Sequence, residues 1–398
     1  MNIVIKYMNL SIKNILLACY LSTFLLIQFS LNIGFSFKPY MMMSIVLILV
    51  FLIGSNQKIL ILNKKRKYEY FMIIFVLFAT IRNCFASDII LGFKGSVALW
   101  ISLFVYFFTV YLFKNINNNT IFHIIYMSAI TNVIIIAIGF ILKDARIFEL
   151  DRTVNRLRGY VQDPNFFALY LTLPLFIVLY YFIKNKKKMI LTFAMLTMFF
   201  LSYSRAGYLS IILGVLYLIY LLKNRIPNFY KKSIVIGLLI FIVLIVFSSL
   251  STTKPICERV LGNISARFNE TASKGARETL IRIGIDVFKE NPIFGVGMLN
   301  VRYYTYSVVH NSYLHNTYLE AFVEQGIVGG LIYLLFIISF LMEKCNNIYA
   351  KVLKATIICQ FIMMFFLSAI NSEALFLSLG LFCAINIKRN KQISMDYL

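Results

Sequence analysis

Apolar runs long enough to cross a bilayer recur along the whole chain, and this limits the fold before any motif is considered. They lie at about 15–35, 39–56, 69–86, 95–113, 120–142, 164–183, 189–203, 206–222, 233–251, 325–342, 352–370 and 372–387. A spanning helix needs about 20 mostly apolar residues, because its backbone polar groups find no water in the hydrocarbon and must be satisfied within the segment. The sequence therefore predicts an all-α, polytopic integral membrane protein of about 12 transmembrane helices. Composition agrees, with 60% of the 398 residues hydrophobic and 14% charged, against roughly 45–50% and 25% in soluble domains. No large soluble domain fits. The first run has no small-residue cleavage site after it and reads as a retained span, not a signal peptide.

The net charge of +23, from 39 Lys and Arg against 16 Asp and Glu, would suggest nucleic acid in a soluble protein. In a polytopic one it must first be divided between the two membrane faces. Basic clusters occur at Lys64, Lys65, Arg66 and Lys67, at Lys184, Lys186, Lys187 and Lys188, at Lys223, Arg225, Lys231 and Lys232, and at Lys388, Arg389 and Lys391. With twelve spans these clusters fall on one side together with both termini, and the excess of Lys and Arg marks that side as the cytoplasm. Residues 1–251 then carry nine helices, 252–324 form one long outer loop, and 325–398 carry three more helices and a tail. A second outer loop spans about 143–163.

Most lysines fall on the cytoplasmic side, but most arginines do not. Arg146, Arg152, Arg156, Arg158, Arg205, Arg259, Arg267, Arg277, Arg282 and Arg302 are outer, and Arg82 sits near the outer end of its helix. Lysine placement is thus a topology signal. The outer arginines need another explanation, since a guanidinium is a planar, permanently charged fork matched to phosphate and carboxylate. They predict an anionic, phosphate-bearing substrate on the outer face and remove nucleic acid as a partner. Pairing with the loop acids Asp144, Glu149, Asp151, Glu258 and Glu270, or with lipid headgroups, is the alternative.

Four segments could carry chemistry. In RLRGYVQDPNFFALYL, Arg156 to Leu171, Pro164 suits the first turn of a helix with Asp163 or Asn165 as its cap, and Arg156 and Arg158 just before that N-terminus add guanidinium charge to the positive end of the helix dipole. Such a place attracts an anion, and Asp163 is either a cap or part of the site. In SYSRAGYL, Ser202 to Leu209, Arg205 interrupts two short apolar runs, and an arginine at that depth faces a cavity or partner, or snorkels to the interface. SKGARETLIRIGIDVFKE, Ser273 to Glu290, reads as an amphipathic helix with Leu280, Ile281, Ile285 and Phe288 on one face and Arg277 and Arg282 projecting, ended by Asn291-Pro292. It is expected on or near the membrane surface, followed by the PIFGVG turn.

The fourth segment, HNSYLHNTYLEAFVEQGIVGG, runs from His310 to Gly330. The five-residue spacings from His310 to His315 and from His315 to Glu320 put those groups on different helical faces, so no metal site is expected from them with Glu320 and Glu324. A neutral histidine beside carboxylates is a candidate general base, or an interfacial structural residue. Tyr303, Tyr304, Tyr306, Tyr313 and Tyr318 suit an aromatic belt or a sugar-stacking platform equally. The six cysteines show no metal-binding spacing and read as buried small hydrophobes.

SRAG, the Arg-bearing helix leading into NPIFGVG, and HNTYLEAFVEQGIVG beginning at His315 together resemble the O-antigen ligase and polymerase superfamily of bacterial inner membranes, and RGYVQDPNFFA is also common there. The resemblance covers about residues 156–330. It implies a metal-independent glycosyltransferase with no cofactor, acting at the periplasmic face on a glycan linked to undecaprenyl diphosphate, in contact with membrane lipids and with a chain-length regulator as a further candidate partner. It carries diphosphate binding to Arg158, Arg205, Arg277 and Arg282, and the motif histidine to His315; beside these, the residues themselves offer Glu324 or Glu320 as the group orienting that histidine, and His310 and Asp163 as further candidates. A polymerase joining lipid-linked repeats in lipopolysaccharide biosynthesis is favoured by the Ile, Lys, Asn, Phe and Tyr richness common in polysaccharide-locus proteins. A ligase moving polymer to lipid A core shares the pattern. A lipid-linked oligosaccharide flippase is the rival from another class, although no internal repeat of the kind common in transporters is visible.

Overall fold

The computed structural model describes residues 10–32, 36–52, 66–150, 155–184, 189–223, 271–309 and 313–387. The described helices are α1 (Leu10–Thr23), α2 (Pro39–Leu52), α3 (Lys67–Asn83), α4 (Ile89–Phe113), α5 (Asn118–Ile141), α6 (Pro164–Lys184), α7 (Met189–Leu201), α8 (Arg205–Leu222), α9 (Thr271–Glu290), α10 (Val301–Val309), α11 (Thr317–Leu341), α12 (Ile348–Met363) and α13 (Glu373–Asn386). Every apolar run expected within these residues falls on a helix. The run at 233–251, the loop residues 252–270 and His310 lie outside the described residues, as do most residues of the four basic clusters. Among the described residues, five helices, α4, α5, α6, α8 and α11, are long and apolar enough to cross a membrane.

Two boundaries differ from expectation. The first run breaks after Thr23 into a short turn and a two-residue ribbon, β1 (Leu31–Asn32) with β2 (Ser36–Phe37). The run at 352–370 is helical only to Met363, and residues 364–372 form a loop before α13. A second ribbon pairs β3 (Phe148–Leu150) with β4 (Asn155–Leu157), Glu149 opposite Arg156.

Contacts gather the chain into two units that interleave in sequence. The first comprises Met1–Lys58, Asn115–Asn269 and Asn347–Cys359, the second Ile59–Lys114, Glu270–Asn346 and Gln360–Leu398. In the first, α6 is central. It is apolar all round, as a fully surrounded helix must be, and from Phe167 to Ile183 nearly every side chain is buried. It packs against α5, α7 and α8, and α1 against α2 and α5.

In the second unit α3 lies along α11 and α4 along α13. Several polar groups inside it find partners, which offsets the desolvation that their burial costs. Gln360 donates to Ser378 at 3.0 Å and the Ser102 hydroxyl to the Asn371 carbonyl at 2.8 Å. At the start of α3, Arg66 and Glu69 form a buried ion pair at 3.1 Å, and the Tyr106 hydroxyl donates to the same Glu69 oxygen.

Long apolar stripes stay exposed. On α5, Ile130, Ile134, Ile138 and Ile141 recur at helical spacing, and on α11, Ile327, Leu331, Leu335 and Ile338. In water such stripes would drive association; in a membrane they are the faces that meet lipid. Removing the acid of the buried pair leaves Arg66 uncompensated, so Glu69→Ala is expected to cost about 3–5 kcal/mol, read as a lowered melting temperature of the detergent-solubilised protein.

Candidate functional site

The first unit holds the segments around Arg158 and Arg205. Asp163 accepts the Asn165 and Phe166 N–H groups at 2.7 and 3.1 Å and so caps α6, with Pro164 as its first residue. Arg156, expected to face an anion, is buried instead. Its Nε donates to the Ser202 carbonyl at 3.1 Å and its Nη2 to Asn165 at 3.0 Å, so one guanidinium ties the ribbon, the N-terminus of α6 and the SYSR turn together. The sequence placed Arg156 beside that N-terminus, but not the turn that would absorb its charge-assisted hydrogen bonds.

The SYSR turn is itself tightly built. Tyr203 takes a left-handed conformation, φ 48°, and the Ser204 hydroxyl accepts the Gly207 N–H at 3.1 Å as the cap of α8. Arg205 is the first residue of that helix and is half-buried, as is Arg158, whose Nε donates to the Arg146 carbonyl at 2.9 Å. Arg146 pairs with Asp144 at 2.7 Å and lies over the rings of Phe29 and Tyr160 at 4.6 and 5.6 Å. Its hydrogen bonds hold the Asp144 carboxyl down at about 2, so that pair stays charged at any physiological pH. For Arg146, therefore, the loop-acid alternative is the one observed.

In the second unit, α11 is interrupted. Gly326 has φ 64° and ψ −170°, a backbone region open essentially to glycine alone. The break releases the carbonyls of Val323 and Glu324 and the N–H groups of Ile327 and Val328. The PIFGVG turn takes up all four: Val296 and Gly297 donate to the Val323 and Glu324 carbonyls at 3.1 and 2.7 Å, and Ile327 and Val328 donate to the Pro292 and Ile293 carbonyls at 2.8 and 3.4 Å.

The other side of this turn is also held. Arg82 donates through Nε to the Phe294 carbonyl at 2.8 Å and through Nη2 to that of Gly295, and Asn83 accepts the Met298 N–H at 2.8 Å. The Glu324 carboxylate accepts from the Leu299 and Val301 N–H groups at the start of α10. Beside the turn a cavity of about 630 Å³ is lined by Phe78, Ile81, Arg82, Phe85 and residues 291–295.

Helix α9 packs on α10 and α11 through Leu280, Ile283, Val287 and Phe288, which join Val296, Val301, Leu314, Leu319 and Val323 in one apolar cluster. A Cβ at Gly284 would meet Leu314 at 2.7 Å, so this glycine sets the closeness of that contact. Ile281 and Ile285 do not share the buried face as expected; they are 37% and 40% exposed. The helix carries two apolar strips, and periodicity alone merged them. Arg277 is half-buried and Arg282 exposed.

His315 is half-buried and left-handed, φ 53°, a conformation that costs a non-glycine residue about 1–2 kcal/mol. Its surroundings enforce it. Leu314 N–H donates to Glu320 Oε1 at 2.9 Å, His315 N–H to Ser368 Oγ at 3.0 Å, and Asn316 caps α11 by accepting from Tyr318 and Leu319 at 3.1 and 3.0 Å. Glu320 thus acts on the backbone around His315. Among the tyrosines, Tyr303 and Tyr306 are exposed, Tyr304 packs against the apolar cluster, and Tyr318 donates to the Phe361 carbonyl at 2.7 Å. Arg302 lies over the Tyr313 ring at 4.7 Å and donates to its hydroxyl, whose pKa is pushed up chiefly by burial. Among the described residues, no group of three or more His, Cys, Asp or Glu side chains could hold a metal ion.

The family model described as O-antigen ligase matches residues 190–334. Residues 190–334 are thus similar to the O-antigen ligase family. The match supports membership of the O-antigen ligase and polymerase superfamily, whose members are glycosyltransferase-like enzymes acting on lipid-linked glycans. No curated protein matches the chain.

The family domain takes in SRAG, α9, the PIFGVG turn and His315 to Gly330. Arg82, Asn83 and Ser368, which hold that turn and the His315 backbone, lie outside it, and sequence reasoning gave them no such role. The only hint was polarity in apolar company: an Arg-Asn pair closing α3, and a serine inside the run at 352–370. At the break in α11, Gly326→Ala is expected to cost about 1–3 kcal/mol from backbone strain alone, with further loss because a Cβ would press on the Ile293 carbonyl; thermal unfolding in detergent measures it.

Proposed function

We propose that the chain is a surface-polysaccharide polymerase of the bacterial inner membrane, transferring an undecaprenyl-diphosphate-linked glycan onto another lipid-linked repeat unit at the periplasmic face. What carries this reading is the O-antigen ligase family match over the segment that holds Arg205, Arg277, Arg282 and His315. In this reading both termini are cytoplasmic and residues 252–324 are periplasmic.

The acceptor hydroxyl oxygen attacks the anomeric carbon of the donor glycan. The bond from that carbon to the diphosphate breaks, undecaprenyl diphosphate leaves, and the hydroxyl proton passes to His315. Binding the diphosphate is the role assigned to Arg158, Arg205, Arg277 and Arg282. Guanidinium forks stabilise the charge that grows on the leaving group as the bond breaks, and no metal is assigned to that task. A general base must be unprotonated to accept the proton, a role to which imidazole is suited. Glu320 assists by fixing the backbone from which His315 projects, Glu324 by fixing the start of α10. His310 is the reserve candidate for the base, and Asp163 contributes as the cap of α6, next to Arg158 in the loop.

The family description itself favours a second reading, a ligase that transfers finished polymer to lipid A core. A deletion strain separates the two: core bearing a single repeat is the polymerase phenotype, bare core with lipid-linked polymer accumulating is the ligase phenotype. Arg277→Lys keeps the charge and loses the fork, so a drop in polymer of at least about tenfold is expected on glycan gels; full-length polymer would remove Arg277 from the site. His315→Ala is expected to reduce transfer by about 10²–10⁴-fold, and normal polymer would exclude it as the base.

A further inference from the structure

We infer that Ser368, in the loop between α12 and α13, is a positioning residue for His315; the inference rests on the role proposed above for that histidine. A hydroxyl offers one proton and two lone pairs, and Ser368 uses both functions at once. It accepts the His315 N–H at 3.0 Å and donates to Glu320 Oε1, the same oxygen that receives the Leu314 N–H at 2.9 Å. Two consecutive backbone groups of the histidine turn therefore end on one buried carboxylate, the first directly and the second through Ser368.

The serine is brought there by a second set of bonds. Thr317 donates its N–H to the Met364 carbonyl at 2.9 Å and its hydroxyl to the Leu367 carbonyl at 2.6 Å, and accepts the Ala369 N–H at 2.9 Å. The loop 364–369 is thus fastened along residues 314–317. Thr317 supplies the attachment. Ser368 supplies the acceptor for the His315 N–H, and an alanine there would remove that acceptor and leave Glu320 Oε1 with the Leu314 N–H but without the Ser368 hydroxyl. The left-handed turn at His315 would then lose the contact that selects it over ordinary backbone, and the imidazole would sample more than one direction. Rates of positioned reactions fall by about 100-fold for misplacements near 1 Å.

Ser368→Ala, Ser368→Thr and His315→Ala test this in the full-length protein. In nanodiscs, hydrogen exchange of the peptide spanning residues 313–317 is expected to quicken by about tenfold in Ser368→Ala, the loss of one backbone hydrogen bond, and to return to the parent rate in Ser368→Thr, which keeps the hydroxyl. In a complemented deletion strain, Ser368→Ala is expected to give about 100-fold less polymer and Ser368→Thr to restore it, while binding of undecaprenyl diphosphate by the purified Ser368→Ala protein stays within about twofold of the parent.

Normal polymer or unchanged exchange in Ser368→Ala, with His315→Ala inactive, overturns the inference and leaves the proposed function standing. Normal polymer in His315→Ala overturns both. Where Ser368→Ala does not accumulate, Ser368→Cys is measured in its place. Failure of both to fold while Ser368→Thr folds assigns Ser368 a purely structural role and also overturns the inference.

Discussion

The second unit depends on a helix that is broken and then repaired by another part of the chain. An uninterrupted α11 would pair the N–H groups of Ile327 and Val328 with the carbonyls of Val323 and Glu324. Gly326 turns the backbone out of the helix, and those four groups bond residues 292–297 instead. In apolar surroundings four unsatisfied backbone groups would be prohibitive, so the break and the turn need each other. This gives a physical reason for NPIFGVG and EQGIVGG to occur in one chain: each completes the other's hydrogen bonds.

From that seam the neighbouring elements take their places. Arg82 and Asn83 at the end of α3 grip the outer edge of the turn, Glu324 just before the break holds the start of α10, and α9 closes over both through the Leu280 and Val287 face. Four residues before Glu324, Glu320 reaches back to the turn that carries His315. The two acids that the sequence offered as partners of the histidine are therefore both bound to backbone N–H groups, one beside His315 and one at α10. Their burial is tolerable because each accepts at least two hydrogen bonds.

The arginines divide in a way that charge counting could not show. Arg156 is a buried tie between three segments, Arg146 is paired with Asp144 and stacked on aromatic rings, and Arg302 is stacked on Tyr313. The positions carried over by resemblance, Arg158, Arg205, Arg277 and Arg282, are half-buried or exposed. Arginines that tie the fold and arginines proposed to hold the substrate share one residue type for one reason: the guanidinium fork serves a row of carbonyl oxygens as well as it serves a phosphate.

Much of the helical layout was legible in the sequence, because apolar runs of spanning length leave the backbone no alternative to a helix. The family was legible too, since SRAG, FGVG and the segment after His315 are local strings. Caps such as Asp163 and Ser204 followed from short-range chemistry at helix starts. The two strips of α9 were not separable, because Leu280, Ile281, Ile285 and Phe288 fit one helical face until a partner surface chooses between them. Nor could the sequence assign Gly326 its break, Arg156 its three-way tie or Ser368 its bond to His315. Those depend on groups 27 to 53 residues apart meeting at hydrogen-bond distance, and hydropathy and local propensity carry no information about such meetings. The sequence by itself determined which segments are helical and which chemistry they can present, and the tertiary structure decided which polar groups are spent on holding the fold.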